Sequence, residues 1–246
     1  MSTKMAINEH FLEPAIGTPN LDRMRMFYQY ADIAWPCEQR LDLVKRILDI
    51  SFALIGIVLL SPVMILIAII IKLDSPGPVI FKQKRVGQDR RRHFINNSRS
   101  LNRRHSDRKG RIIKIYKFRS MRQESKQYDV SPHDAMDNRI TRTGKYLRLT
   151  CLDELPQLFN VLKGDLSLVG PRPEMEFIVG KYSPVESLRL TVKPGITGPW
   201  QIYGSRDKFI HEDLKYDLDY IRNRSLKMDI SILLKTFLFI FKLNNF

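Results

Sequence analysis

Asp153 and Glu154 stand side by side in CLDELPQLFNVLKGD, residues 151–165 of a 246-residue chain carrying net charge +15. Two readings compete. In the first the pair caps a helix, because N-terminal N–H groups are unpaired and that end of the dipole is positive. Pro156 suits a first turn, Leu155, Leu158, Phe159 and Leu162 recur at helical spacing, and Gly164 ends the run. In the second the pair does phosphate chemistry. Lys117, Arg119, Arg139, Arg142, Arg148 and Arg172 lie close by in sequence. Arginine forks bind phosphate bidentately, and a carboxylate among cations stays ionised. Asp153 would then be a competent nucleophile or metal ligand. Adjacent carboxylates suit Mg²⁺, which commonly bridges protein oxygen to substrate phosphate. There is no GxxxxGK[ST] loop, no HExxH and no CxxC pair, which argues against a P-loop nucleotidase and a zinc centre. The five histidines lie in poor contexts for a Ser-His-Asp hydrolase.

Such groups need a scaffold. The length suggests one domain with attachments, and Cys37 and Cys151 make no disulfide framework. No basic stretch followed by an apolar one opens the chain, so no cleavable leader is expected and the catalytic mass should face the cytoplasm. Seventeen Lys or Arg against three acids fall between Lys82 and Lys126, nearly the whole charge excess.

Ile50 to Ile71 is twenty-two residues without a charge, enough to insert in a bilayer as a helix. Ser61-Pro62 interrupts it, and proline removes a backbone bond and kinks a helix. Both flanks are basic: Arg40, Lys45 and Arg46 before it, and Lys72, Lys82, Lys84 and Arg85 after it. Positive residues stay on the cytoplasmic side. A helix that bends at Ser61-Pro62 and returns keeps both flanks inside, so a re-entrant helix is expected over 45–72.

The alternation in residues 79–86 and 111–118 predicts a β-hairpin with a long charged tip. SLVGPRPE (167–174) and KPGITGPWQ (193–201) read as loops. The C-terminal SLKMDISILLKTFLFIFKL places Lys227, Lys235 and Lys242 in one helical sector, the pattern of a helix lying in the membrane interface.

Taken in order, KRILDI, the Ser-Pro pair, PGPVIFKQKRVG, KFRSM, RITRTGKYLR, LDELPQLFNVLKGDLSLVGPRPE and KPGITGPWQ resemble the bacterial sugar transferases, the small monotopic phosphoglycosyltransferases. The resemblance implies an α+β, predominantly helical fold with a re-entrant membrane helix, interfacial amphipathic helices and a small β-hairpin. It implies residues 1–44 as an N-terminal extension, 45–246 as the phosphoglycosyltransferase domain, and 88–110 as a basic insertion in the hairpin tip. It further implies transfer of a phosphosugar from a UDP-sugar to undecaprenyl phosphate at the cytoplasmic face of the bacterial inner membrane. Asp153 would be the nucleophile and Glu154 its helper, the two holding Mg²⁺. Lys117, Arg119, Arg148 and Arg172 would bind substrate phosphate, and Ser61 and Pro62 would form the membrane turn. Inner-membrane lipid, a second copy of the chain and downstream glycosyltransferases are the partners implied.

The basic tip departs from the family pattern. Alone it would also suit a membrane-tethered nucleic-acid-binding or scaffold protein. Base stacking needs interleaved aromatics, and residues 88–110 hold only Phe94, so no nucleic acid is expected.

Overall fold

The computed structural model describes residues 39–89, 110–122, 137–183, 185–204 and 214–241, all within one compact unit that begins at Trp35. Nearly all of the N-terminal extension and of the basic insertion lies outside the described residues.

The first helix, α1, runs Gln39–Asp74, 36 residues. It starts ahead of the apolar run because Arg40 to Val44 is itself helix-forming and amphipathic. Asp42 there pairs with Arg224 at 2.9 Å. The helix continues through Pro62. Proline has no N–H for the carbonyl four residues back, and Ser61 Oγ donates to that carbonyl, Val58 O, at 2.8 Å. The Ser-Pro pair therefore supplies part of what it removes, which matters most where no water can.

Much of α1 is bare: Leu54 is 53% exposed, Val58 64%, Leu59 70% and Ile65 62%. A soluble core helix would be covered on these positions. One stripe is held by the globular unit. Arg46 donates to Val161 O and Leu162 O, and buried Asp49 accepts from Leu168 N at 2.9 Å and Ser167 Oγ at 3.1 Å. Ala53 packs with Ile113, Ile115, Val161 and Leu166. Towards the other end, Ile67 and Ile71 pack with Phe118 and Leu147.

The hairpin forms as the alternation predicts. β1 (Ile80–Val86) pairs antiparallel with β2 (Ile112–Phe118), with Ile80 opposite Phe118 and Val86 opposite Ile112. α2 (Arg142–Leu149) is capped by Thr141, whose side chain accepts from Gly144 N. A Cβ on Gly144 would lie 2.0 Å from Ser120 O, so glycine lets α2 press on the chain leaving β2. Asp74, the last residue of α1, accepts from Thr143 N at 3.2 Å.

A 3-10 turn, Leu152–Glu154, leads into α3 (Gln157–Lys163), which Gly164 closes with φ of 80°. Fully buried Asn160 docks α3 on the free edge of β2 as a strand would. Its Oδ1 accepts from Tyr116 N and its Nδ2 donates to Lys114 O.

The two Gly-Pro loops are more regular than their composition predicts. Each carries a three-residue strand, β3 (Ser167–Val169) and β4 (Gly195–Thr197), paired in parallel. A Cβ on Gly195 would meet Gly170 N at 2.1 Å, and one on Gly198 would meet Gly170 O at 2.1 Å. These glycines permit close backbone approach rather than mark loops. Between the strands lie α4 (Glu176–Val179) and a 3-10 segment, Glu186–Thr191; α5 (Pro199–Tyr203), α6 (Leu214–Arg222) and α7 (Leu226–Phe241) follow. α7 buries Ile232 and leaves Ile230, Leu234, Phe237 and Leu238 exposed in one row. The fold is a mostly helical domain with one membrane-length helix and a small amount of sheet.

Candidate active site

Cys151 turns the chain into the acidic pair through a left-handed backbone, φ 54°, the only non-glycine with positive φ among the described residues. Such a conformation is costly and persists only where its surroundings impose it. Leu152 and Leu155 pack into the cluster of Ile67, Ile71, Phe118 and Leu147. That burial fixes the turn and with it Asp153 and Glu154. The acids are not caps: no side chain caps the 3-10 turn or α3, whose N-terminal flanking residue is Pro156.

Three of the four expected cations gather around the pair. Lys117 Nζ, from β2, lies 2.6 Å from Glu154 Oε1 and 3.9 Å from Asp153 Oδ2. Arg172 Nη1 stands 3.9 Å from Glu154 Oε1. Arg148, in the last turn of α2, interacts electrostatically with Asp153. Burial lowers its pKa, and Asp153 acts against that. Arg139 is bound instead to Asp137, by a bond of 2.7 Å from its Nη2.

The two carboxyls titrate apart. Burial pushes Asp153 up to about 6, with Lys117 pulling the other way and Glu154 adding to the rise. Burial acts on Glu154 in the same sense, but Lys117 and Arg172 outweigh it and hold Glu154 below its usual range. Glu154 thus carries the first negative charge of the pair. Asp153 is still largely ionised at neutral pH, and it lacks the short lysine contact that ties up Glu154. An ionised, weakly engaged carboxylate is the better nucleophile. Burial likewise drives the Cys151 thiol up to about 11, so it stays protonated.

The loop that presents Arg172 is bonded at four consecutive carbonyls. Pro171 O accepts from Gly195 N, Arg172 O from Arg189 Nη2, Pro173 O from Arg85 Nη1, and Glu174 O from Val86 N. The two prolines fix φ and carry no N–H that would need a partner. Arg189 is itself buried, donating to Asp217 and to the Tyr182 hydroxyl. Neither Arg189 nor Asp217 belongs to a recognisable motif, and their separation in sequence gave no signal.

Arg119, expected among the phosphate ligands, is engaged elsewhere. It is buried, with Nη1 on Pro76 O at 2.8 Å and Nη2 on Ser75 O at 2.7 Å, Ser75 Oγ at 2.9 Å and Ile71 O at 3.3 Å. A cation on the last carbonyls of a helix satisfies unpaired acceptors and opposes the dipole. The geometry makes Arg119 the C-terminal clamp of α1.

Among the described residues no three His, Cys, Asp or Glu side chains form a metal-binding group. Asp153 and Glu154 are two hard oxygen donors. That set fits an ion whose shell is completed by substrate phosphate and water, as Mg²⁺ prefers.

The family model described as bacterial sugar transferase matches residues 40–243. UDP-N-acetylgalactosamine-undecaprenyl-phosphate N-acetylgalactosaminephosphotransferase of Aeromonas hydrophila is 41% identical over 199 residues, which are 78% of this chain and 42% of the relative. UDP-glucose:undecaprenyl-phosphate glucose-1-phosphate transferase of Caulobacter vibrioides is 37% identical over 203 residues, 79% of this chain and 68% of the relative. Undecaprenyl-phosphate galactose phosphotransferase of Salmonella typhimurium is 36% identical over 208 residues, 78% of this chain and 39% of the relative. The chain thus spans about two fifths of the length of the Aeromonas and Salmonella proteins. The matched region contains the membrane-length helix, the acidic turn and all three cations around it, and on that evidence the chain belongs to the bacterial sugar transferase family.

Proposed function

We propose that the chain transfers a phosphosugar from a nucleoside diphosphate sugar, of the UDP class, to undecaprenyl phosphate, releasing UMP. This would be the first membrane step in building a bacterial polysaccharide or glycoconjugate. The observation that carries the reading is a carboxylate pair, Asp153 buried and Glu154 partly buried, among Lys117, Arg148 and Arg172, in a domain built on a membrane-length helix. The relatives' names supply the lipid acceptor, and their differing sugars leave the sugar open.

In the first half-reaction a carboxylate oxygen of Asp153 attacks the phosphorus that bears the sugar. The bond from that phosphorus to the UMP oxygen breaks, and the electron pair leaves on UMP. In the second, an oxygen of the lipid phosphate attacks the same phosphorus and the Asp153 carboxylate departs unchanged. Neither leaving group needs a proton, so no general acid is required. Lys117, Arg148 and Arg172 bind the phosphate oxygens and stabilise the charge that builds up in transfer. Asp153 and Glu154 would hold Mg²⁺, which when bound neutralises the diphosphate. A UMP-release assay over a panel of UDP-sugars, with and without undecaprenyl phosphate, tests the reading. One or a few donors should give sustained release only with the lipid, and a stoichiometric burst without it. Folded, membrane-bound protein that releases no UMP from any donor would reject it.

The membrane arrangement we propose is monotopic and re-entrant, on the cytoplasmic leaflet of the inner membrane. Both halves of α1 pack on the same unit: a Cβ on Gly56 would meet Leu158 at 3.3 Å, and Met64 joins the cluster of Ile67 and Phe118. The eight-residue step from Gly56 to Met64 rises about 12 Å, far short of the roughly 30 Å hydrocarbon core. A helix packed against one body on both sides of Pro62 cannot carry one half across the bilayer while that body stays on one side. The exposed row on α7 would lie in the same interface. Cysteines at Gln39 and Lys84, in a background without Cys37 and Cys151, should both resist an impermeant external reagent in intact cells. Changing Ser61-Pro62 to Ala-Leu should straighten the helix and expose one of them. External labelling of either site before that change would exclude re-entry.

A further inference from the structure

RITRTGKYLR, residues 139–148, enters the chemistry above only through its last residue, Arg148. Within it α2 places Arg142, Lys145 and Arg148 three residues apart. At 3.6 residues per turn that spacing makes one ridge along the helix, with neighbouring Cβ atoms about 5–6 Å apart. Gly144 and Leu147 fill the buried side of α2, so the ridge runs along the outside. Arg142 is exposed, Lys145 half-buried, and Tyr146 beside them is 69% exposed.

Both ends of the ridge are fixed. At its start Thr143 N donates to Asp74, the last residue of α1. The uncharged run ends at Ile71 and Lys72 follows it. In the re-entrant arrangement this is where α1 leaves the hydrocarbon for the headgroups, the depth at which tyrosine and lysine side chains settle. At the other end the Arg148 carbonyl accepts from Cys151 N at 3.3 Å, two residues ahead of Asp153. Leu147 shares its cluster with Leu152 and Leu155, which flank the acidic pair. From Arg142 to Arg148 the helix rises about 9 Å. The ridge therefore joins the membrane surface to the acidic turn.

These charges are not there to stabilise α2. Like charges at helical spacing repel, and an arginine at the first position opposes the positive end of the dipole. α2 has no acid in its first turn, and among the described residues no carboxylate pairs with Arg142 or Lys145. Arg139, just outside the helix, is by contrast bonded to Asp137. An anion relieves the repulsion along the ridge. A phosphate monoester carries nearly two negative charges at pH 7, whereas a phosphodiester headgroup carries one, so paired cations favour the acceptor lipid over bulk phospholipid. We propose that Arg142 and Lys145 take up the phosphate of undecaprenyl phosphate at the membrane surface and pass it to Arg148 beside Asp153. The proposal rests on the transfer reading above.

The double variant Arg142→Gln/Lys145→Gln, in nanodiscs of neutral phosphatidylcholine doped with undecaprenyl phosphate, tests it by separating the two half-reactions. A charge-assisted bond to phosphate corresponds to about tenfold or more in binding. The KM for undecaprenyl phosphate should rise on the order of tenfold. The KM for UDP-sugar, and the rate at which labelled donor marks the enzyme without lipid, should match wild type. The melting temperature should not fall, since repulsion is removed. The exchange Arg142→Lys/Lys145→Arg keeps both charges and should keep most of the affinity. A lipid KM equal to wild type would overturn the proposal and leave the ridge a solvated face. An equal rise in the donor KM, or slower labelling, would assign the ridge to the donor and also overturn it. So would a rise that appears only in discs containing phosphatidylglycerol, because the ridge would then meet bulk anionic headgroups. If the double variant does not fold, Lys145→Gln alone decides by the same comparison. Failure of the wild-type protein itself to release UMP would instead reject the transfer reading.

Discussion

Replacing Asp153 with asparagine is expected to abolish transfer while making the protein more stable. The amide has nearly the same shape but cannot attack phosphorus. Loss of a covalent nucleophile removes the pathway rather than slowing it, so a fall of at least about 10³-fold is expected. No label should remain on the enzyme after incubation with a donor labelled in the sugar phosphate. The stability gain follows from burial. The folded protein raises Asp153 from 3.8 to about 6. Folded chains therefore bind more protons than unfolded ones between those values, and the contribution of this group to stability falls as pH rises through that window. Asparagine carries no such charge. In metal-free protein the variant should melt higher than wild type at pH 7, and the difference should shrink towards pH 4. Transfer near the wild-type rate would sink the nucleophile. A lower melting point at pH 7 would mean that the attraction of Lys117, Arg148 and Arg172 outweighs the cost of burying the charge.

What was legible in the sequence was what local pattern determines. The uncharged run gave α1, the alternation gave β1 and β2, and Gly164 marked the end of α3 where its left-handed backbone is required. Asp153, Glu154, Lys117, Arg148 and Arg172 could be drawn together because their motifs lie in known order. Roles that depend on distant partners could not be read. Asp49 and Asp74 lie just outside the two ends of the uncharged run, where charge reads as mere flanking. In the fold Asp49 holds the strand that leads to Arg172, and Asp74 holds the helix that carries Arg148. Gly170, Gly195 and Gly198 resemble loop punctuation because the backbone each must approach lies on another segment. Arg119 and Arg172 are alike in sequence terms, each a single arginine inside a matched motif. Only the oxygens around them separate the two, carbonyls of a helix end for Arg119 and the Glu154 carboxylate of the acidic pair for Arg172.

That difference predicts opposite phenotypes for the two arginines. Arg119→Ala should lower stability by on the order of 3–5 kcal/mol, since it removes several charge-assisted bonds and leaves the carbonyls of Ile71, Ser75 and Pro76 without that partner. Lysine should rescue little, because one ammonium cannot reproduce the planar fork across both sides of the turn. Loosening the end of α1 also frees Asp74, and with it the N-terminus of the helix that carries Arg148. Activity should therefore fall together with melting temperature, and amide exchange should accelerate first around residues 71–76 and 143. Arg172→Ala should do the reverse. Its side chain is nearly a third exposed and its backbone is held by other residues, so the fold should persist while the KM for donor rises. Should Arg119→Ala melt like wild type and raise only the donor KM, Arg119 would belong to the phosphate ligands after all. The clamp would then have to be reassigned, because no other side chain among the described residues donates to the carbonyls of Ile71, Ser75 and Pro76.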